Sequence, residues 1–232
     1  MTFGSVFGRV FSPTFQPKSQ AVVSAASTWW DLNGTITSCV AAWQAKGAAS
    51  YAASKVNLAN GGTYDLAEIG GGSVNWETGV GWSGFSSLSR CLDTGIANAI
   101  TKTWSAIIRV TGVSTNSTVM MGCWSSGNDG IYFAYFTSTG WQFSFNHTSP
   151  VNVASSGSGV LAIAGTDIFL NGTDVGNLTP RTYTVSRSPY IGAQHYTSAT
   201  QFTNGSIQAA AFYNATLTST QIGNLTTAMA AL

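Results

Sequence analysis

Charged side chains are scarce in this sequence. Aspartate, glutamate, lysine and arginine make up only 7% of the 232 residues, whereas about 25% is usual in soluble domains. The formal net charge is +1, so a free monomer has little charge repulsion to keep copies apart. The nine lysine and arginine residues are scattered and form no basic patch for nucleic acid. This composition favours a self-associating protein that works inside an assembly or outside a cell.

Long apolar runs are also absent. No run approaches the roughly 18 residues that span a bilayer, so no membrane segment is predicted. The opening stretch MTFGSVFGRVFSPTFQPKSQ is broken by glycine, arginine and proline, unlike the apolar centre of a secretory signal. We therefore expect neither a membrane protein nor a cleaved leader.

Groups that bind metals or act as nucleophiles are few. The chain has two histidines, His147 and His195, and three cysteines, Cys39, Cys91 and Cys123, with no CxxC pair. These spacings match no metal-ligand pattern, and no cofactor is expected. Free cysteines are commonly buried and unreactive, so buried thiols are predicted, while a disulfide between two of them stays open.

Aromatic residues, in contrast, are abundant and begin in a distinct N-terminal segment, residues 1–26. Glycine and proline interrupt this segment and argue against a persistent helix. We predict an extended arm that docks on another surface, the alternative being a disordered leader. The aromatic anchors recur every four residues: Phe3, Phe7, Phe11 and Phe15.

Most of the remaining chain has the pattern of short strands. Segments rich in β-branched and aromatic residues are separated by glycine, serine and asparagine, which is typical of a sandwich or jelly roll. Asn171-Gly172 is the favoured pair for a type I′ hairpin turn. The segments are 104–110, 118–124, 131–136, 141–146 and 160–165.

Two helices are predicted. The first covers Ala48 to Ala59, with an apolar stripe at Ala48, Ala52, Val56 and Ala59 that ends at Asn60. The second follows a strand at 206–214 that is apolar on both faces and therefore sandwiched. In that strand Ile207, Ala209, Ala211 and Tyr213 form one face, with Gln208, Ala210 and Phe212 on the other. The helix has a capping box at Thr218 and Gln221 and an apolar stripe at Ile222, Leu225, Met229 and Leu232.

Four sequence blocks occur in a familiar order: CVAAW (39–43), VGWSGFSSLSRCLDTG (80–95), IFLNGTDVG (168–176) and YIGAQHYTSATQFTNGSIQAAAFYNATLTSTQI (190–222). Together they resemble the laminin G-like jelly rolls of the concanavalin A-like lectin/glucanase superfamily, over residues 36–232. The resemblance implies an all-β fold, a two-sheet antiparallel jelly-roll sandwich over residues 27–232, with the N-terminal extended arm before it and a short C-terminal helix. Gly84-Phe85-Ser86 replaces the family's acidic position, so calcium binding, seen in some members, loses a ligand.

The arm and the low charge also resemble phage virion proteins that carry this domain on fibres or capsids. This resemblance rests on GRVFSPTFQPKSQ and AAWQAKGAASYAASKVNLAN. It implies a virion protein assembled in the host cytoplasm, with an extracellular protein as the alternative.

Catalytic constellations are missing from the sequence. Glycoside hydrolases that share this sandwich resemble one another in an E-x-D-x-x-E strand, whose carboxylates act as nucleophile and acid. Asp65 and Glu68 come nearest, but TYDLAEIGGG is typical of a loop. Neither histidine lies in a context that indicates a catalytic triad. We therefore expect a protein that is not an enzyme.

A ligand site is predicted on two loops that combine aromatic rings with polar groups, as sugar sites do. The alternative is that these rings pack in the core or at a subunit contact. The candidate residues are Trp124, Asn128, Asp129 and Tyr132 in WSSGNDGIY, and His195 and Tyr196 in QHYTSATQF.

The favoured hypothesis is a non-enzymatic virion component. Its arm docks on a capsid or tail protein, it self-associates, and its jelly roll is displayed for attachment to glycans. The alternatives are a free carbohydrate-binding or adhesin module and, less favoured, a glucanase.

Overall fold

The computed structural model describes residues 1, 28–32, 34–114, 117–125, 130–136, 140–145, 150–179 and 184–232. The predicted docking arm, with Phe3, Phe7, Phe11 and Phe15, lies outside these residues and stays a prediction.

The described residues form many short strands and three helices. The helices are α1 (Tyr51–Ser54), α2 (Phe85–Leu88) and α3 (Ser219–Ala230). The strands are β1 (Cys39–Gln44), β2 (Ala67–Ile69), β3 (Asn75–Glu77), β4 (Gly81–Ser83), β5 (Cys91–Asp93), β6 (Ser105–Thr111), β7 (Thr118–Trp124), β8 (Gly130–Phe136), β9 (Gly140–Phe145), β10 (Val151–Val153), β11 (Gly159–Ala164), β12 (Asp167–Leu170), β13 (Thr173–Asn177), β14 (Tyr190–Ile191), β15 (Gln194–His195), β16 (Ala199–Thr200) and β17 (Ser206–Tyr213).

The strands form two sheets. Sheet A has the order β13-β12-β11-β6-β17-β4-β3, with β1 also paired to β17. Sheet B has the order β10-β9-β8-β7-β14-β5-β2, with β15 paired to β7 and to β16. The named strand pairs are antiparallel except β15 with β7. The predicted all-β antiparallel sandwich is therefore confirmed.

The main core lies between the two sheets, because alternate side chains of each strand point to the same face. Trp43 and Phe212 from sheet A meet edge to face, with ring centroids 6.3 Å apart. On sheet B, Phe133 and Phe143 make a similar contact at 5.8 Å. All four side chains are fully buried, and each such burial contributes roughly 1.5–3 kcal/mol.

The outer face of sheet A is covered by α3 and by residues near Trp29. Ile222, Leu225 and Met229 are buried in one cluster with Trp29 and the small outward side chains of β11 and β17. The helix begins at the predicted capping box, where Thr218 accepts a hydrogen bond from the Gln221 backbone. The predicted C-terminal helix is confirmed, although it ends at Ala230, before Leu232.

β17 is buried on both faces, as predicted, but one of its side chains faces the other way. The pairing with β6 shifts register between Ile207 and Ala209. This β-bulge moves Ile207 to the same face as Ala210 and Phe212, in the core between the sheets. The predicted grouping of Ile207 with Ala209 is therefore wrong.

The predicted helix from Ala48 to Ala59 is also wrong, because only α1 forms there. Val56, on the predicted apolar stripe, is 40% exposed, whereas Asn57 is 1% exposed. The Asn57 amide donates to the carbonyls of Val40 and Thr63 and accepts from the Ala42 backbone. These bonds tie the chain to β1, so it leaves the helical path after one turn.

The β12–β13 hairpin has the predicted turn. Asn171 and Gly172 both adopt positive φ, at 51° and 80°, as a type I′ turn requires. The Asn171 side chain also accepts a hydrogen bond of 2.9 Å from the Val160 backbone, which joins the turn to β11.

All three cysteines are free thiols. Cys91 and Cys123 are buried and Cys39 is half-buried, in agreement with the predicted buried thiols. None of the helices in the described part of the chain is long and apolar enough to cross a membrane.

Candidate ligand pocket on sheet B

The outer face of sheet B carries aromatic and amide side chains because its strands alternate. In β8, Ile131, Phe133 and Tyr135 belong to the core between the sheets. Their neighbours on the strand therefore point outward, and so does Gln142 of β9, which lies between Trp141 and Phe143.

These outward side chains enclose a pocket of about 180 Å³. Val119 and Ala134 are paired across β7 and β8 and are almost fully buried, so they form its base. Three aromatic side chains and three amides surround that base: Trp124, Tyr132 and Phe136, with Gln142, Gln194 and Gln201.

One side of the pocket is held by a chain of hydrogen bonds across three strands. The Tyr132 hydroxyl donates to Oε1 of Gln142 at 3.0 Å. Nε2 of Gln142 donates in turn to Oδ1 of Asn152 at 2.9 Å. Burial raises the pKa of Tyr132 to about 12, while a hydrogen bond with Ser144 lowers it. The Tyr132 hydroxyl therefore stays protonated and keeps donating at ordinary pH.

The remaining polar groups of the pocket have no partner inside the described part of the chain. This is true of the Trp124 indole N–H and of the side-chain amides of Gln194 and Gln201. The Trp124 ring is half-buried and lies against Tyr132, with centroids 5.6 Å apart and planes tilted by 55°. The pocket thus offers a fixed aromatic wall and several free donors and acceptors.

The two predicted loops meet because β15 pairs with β7. Gln194 lies beside Gly122 and His195 beside Cys123, in parallel register. The pocket therefore takes Trp124 and Tyr132 from the first predicted segment, and Gln194 and Gln201 from the ends of the second.

His195 and Tyr196 follow Gln194 in the chain but do not line this pocket. His195 stacks on Tyr190 with centroids 4.0 Å apart and planes 7° apart, and its Nδ1 lies 2.8 Å from the Ser188 carbonyl. Tyr196 is 42% exposed. The Arg187 guanidinium lies 5.8 Å from the Tyr196 ring and donates to the Tyr196 carbonyl.

Asn128 and Asp129, the other two predicted ligand residues, lie outside the described residues. Six further residues line the pocket without having been predicted: Val119, Ala134, Phe136, Gln142, Gln194 and Gln201. The strand alternation in WQFSFN places Gln142 outward, but it does not distinguish Gln142 from other outward polar residues. Gln201 has no such signal, because it follows the short hairpin of β15 and β16 and reaches the pocket only through the sheet pairing.

Asp65 and Glu68 have structural partners. Oδ1 of Asp65 accepts hydrogen bonds from the backbones of Asn57 and Gly62. Glu68 lies in β2, which corrects the predicted loop, and its carboxylate is 2.7 Å from Nζ of Lys55. The bond from Lys55 lowers the pKa of Glu68. Among the described residues, no three histidine, cysteine or acidic side chains cluster as metal ligands.

Comparison with solved structures identifies proteins that share the fold. A mutant of Trypanosoma rangeli sialidase displaying trans-sialidase activity matches 83% of this chain with a TM-score of 0.56 and 14% identity. Domain 4 of AbnA, a GH43 extracellular arabinanase from Geobacillus stearothermophilus, in complex with arabinotriose, matches 81% of this chain with a TM-score of 0.50 and 13% identity. This chain covers 33% of the sialidase and 98% of the arabinanase domain.

At such low identities, these TM-scores show a shared β-sandwich fold alone. No protein-family model and no curated protein sequence matches the chain. The narrower resemblances to laminin G-like domains and to phage virion proteins therefore stay predictions.

Proposed function

We propose that this protein binds carbohydrate in the pocket on sheet B and does not hydrolyse it. The observation that carries the proposal is the lining of the pocket, where aromatic faces and side-chain amides surround a small apolar base. Aromatic rings pack against the C–H faces of sugars, and amides pair with sugar hydroxyls, which both donate and accept. A shallow open pocket of about 180 Å³ would hold one or two sugar rings.

The fold comparison supports the proposal. The arabinanase domain is a solved structure that contains arabinotriose, and this chain covers 98% of it. A sandwich of this size can therefore serve as a sugar-binding unit, and the aromatic and amide lining supplies the groups for it here.

The absence of hydrolysis is part of the proposal. Two-carboxylate hydrolysis needs a pair of acids facing one sugar bond. None of the described residues that line the pocket is acidic. Asp65 is occupied by backbone N–H groups, and Glu68 is paired with Lys55.

Display on a virion, through an arm of residues 1–26, stays a prediction within this proposal, and so does self-association. The comparisons give the virion role no support. A glycan-binding sandwich would serve equally in a free extracellular module. We therefore propose the binding site itself, for either a virion protein or a free module.

The test is a glycan array followed by calorimetry. We expect the protein to bind at least one glycan, and Trp124→Ala to weaken that binding about tenfold. The reason is that an aromatic contact is worth about 0.5–1.5 kcal/mol beyond its area, and 1.4 kcal/mol is tenfold in affinity. Ala134→Leu, which fills the base of the pocket, should abolish binding.

Tyr196→Ala is the matched control, because it removes an exposed ring from the same segment as Gln194 and Gln201, outside the pocket. It should leave affinity within about twofold. If no glycan binds, or if the two pocket variants bind as well as the wild type, the proposed function is wrong.

A further inference from the structure

The lack of charged side chains among the described residues of the pocket points to a narrower class of ligand. The eight side chains that line the pocket among the described residues include no lysine, arginine, histidine, aspartate or glutamate. Its polar groups are amides, a phenol and an indole N–H. Within the described part of the chain, a ligand that enters the pocket would exchange its water for these neutral groups.

The charged residues described nearby on this face have other partners. Arg187 donates to the Tyr196 carbonyl and lies over the Tyr196 ring. Asp93 lies opposite Tyr190 in the sheet, and its carboxylate accepts from the Gly95 backbone. The two charges are of opposite sign, so together they give an anion no net attraction.

The amides favour hydroxyl groups over carboxylates for a geometric reason. A sugar hydroxyl both donates and accepts, so it can satisfy the C=O and the NH₂ of one amide. A carboxylate only accepts, so it would leave the amide carbonyls without a donor and face their partial negative charge. The carboxylate would also lose its hydration without gaining a cation as a partner. Burying an unpaired charge in this way costs free energy.

We infer that the pocket selects uncharged glycans and discriminates against sialylated and uronic-acid glycans. This inference rests on the proposed carbohydrate binding and adds the ligand class. The specificity-determining residues are Gln142, Gln194 and Gln201. Their neutral amides occupy the positions where an anionic sugar would need a cation.

The experiment compares uncharged ligands with related anionic ligands. Binding is measured by calorimetry for galactotriose against trigalacturonate, and for lactose against 3′-sialyllactose, with arabinotriose as a further uncharged probe. We expect the uncharged member of each binding pair to bind at least tenfold more tightly, with a preference that changes little between 20 and 300 mM NaCl.

A charge variant tests the cause. Gln194→Lys places a cation in the pocket and should reduce the preference for the uncharged member to less than threefold, with a new dependence on salt. Asn224→Lys is the matched control: it adds the same charge on an exposed position of α3, on the opposite side of the sandwich, and should leave the preference unchanged. Near-ultraviolet circular dichroism confirms that each variant is folded.

The outcomes separate the inference from the proposed function. If trigalacturonate or 3′-sialyllactose binds as tightly as its partner and Ala134→Leu abolishes that binding, the pocket binds sugars but the inferred selectivity is wrong. The selectivity is equally contradicted if Gln194→Lys leaves the preference unchanged. If none of the five probes and no arrayed glycan binds, the proposed function fails and takes the inference with it.

Discussion

Gly122 lies under the pocket, on β7 directly opposite Tyr132. A Cβ atom at this position would stand 2.5 Å from Cβ of Tyr132 and 2.8 Å from the Ile131 carbonyl oxygen. Such contacts are too short for carbon, so the two strands or the Tyr132 ring would have to move. The lack of a side chain at Gly122 is what lets Tyr132 lie across β7 and reach Trp124.

Gly122→Ala should therefore lower the free energy of unfolding by about 1–3 kcal/mol, as overpacked sites do, and weaken glycan binding by displacing Tyr132. Urea denaturation followed by tryptophan fluorescence measures the first effect. Gly223→Ala is the control, because a Cβ there meets no atom within 4 Å. It lies inside α3, where alanine favours the helix. Equal stability of Gly122→Ala and the wild type would contradict this account.

At this scale the sequence predicts the aromatic part of the site better than its polar part. Trp124 and Tyr132 could be predicted because large rings near glycines on a strand end are conspicuous. Gln142 could not be ranked above the other outward polar residues, since alternation tells which side chains leave the core but not which outer face stays open. That depends on α3, which covers sheet A and leaves sheet B accessible.

The C-terminal helix is an element whose start is fixed by two side chains, Thr218 and Gln221. The Thr218 hydroxyl accepts from the Gln221 backbone at 3.2 Å, and Oε1 of Gln221 accepts from the Thr218 backbone at 2.9 Å. Both bonds satisfy N–H groups that the first helical turn leaves without partners.

Thr218→Ala should lower the free energy of unfolding by about 1 kcal/mol, the usual cost of losing an N-cap. Thr218→Ser retains the hydroxyl and should stay within about 0.5 kcal/mol of the wild type. Guanidinium denaturation of the three proteins provides the comparison. A loss of the same size in both variants would show that the methyl group, and not the cap, matters here.

Helices and strand pairs could be predicted where the sequence signal is local. The predictions failed where a residue distant in the sequence determines the local structure. The Asn171-Gly172 hairpin and the capped helix need only neighbouring residues. The segment Ala48–Ala59 has helical spacing, but the buried Asn57 bonds to β1 and stops the helix. The parallel pairing of β15 with β7 joins segments far apart in sequence, and no local pattern announces it.

Alkaline stability is a property of the molecule as a whole, because several buried groups must stay protonated in the fold. Burial raises the pKa of the Cys39, Cys91 and Cys123 thiols from 9.0 to about 12. Burial also raises the pKa of Tyr213 well above its usual value. In the unfolded chain these thiols lose their protons near pH 9, whereas the folded protein retains them.

The contribution of the thiols to stability is therefore complete below pH 9 and is lost as the pH rises from 9 towards 12. We expect a constant melting temperature between pH 6 and 8 in reducing buffer, and a steep fall above pH 9. Each titrating group removes about 1.4 kcal/mol per pH unit in that window. Calorimetric scans from pH 6 to 11 measure the curve.

Cys123→Ala should reduce the loss of stability above pH 9 by the contribution of about one titrating group, because the Cys123 thiol is fully buried. The variant will be less stable than the wild type at pH 7, where the cavity that it leaves is the only change. A melting temperature that stays constant up to pH 11 in the wild type would contradict the protonation argument.

The overall architecture was accessible from the sequence because four ordered blocks and many short alternating strands allow few folds other than a sandwich. The identity of the open face was not, because it is set by packing between segments far apart in the sequence. Trp29 and α3 converge on sheet A, although 189 positions separate Trp29 from Thr218.

That convergence has a practical consequence for orientation. A fusion partner, bead or sensor chip attached after α3 would emerge on the side remote from the sheet B pocket. In a layer of protein immobilised in this way, the sheet B pocket of each molecule would face the solution. Soluble oligosaccharides would then reach the pocket without obstruction from the support.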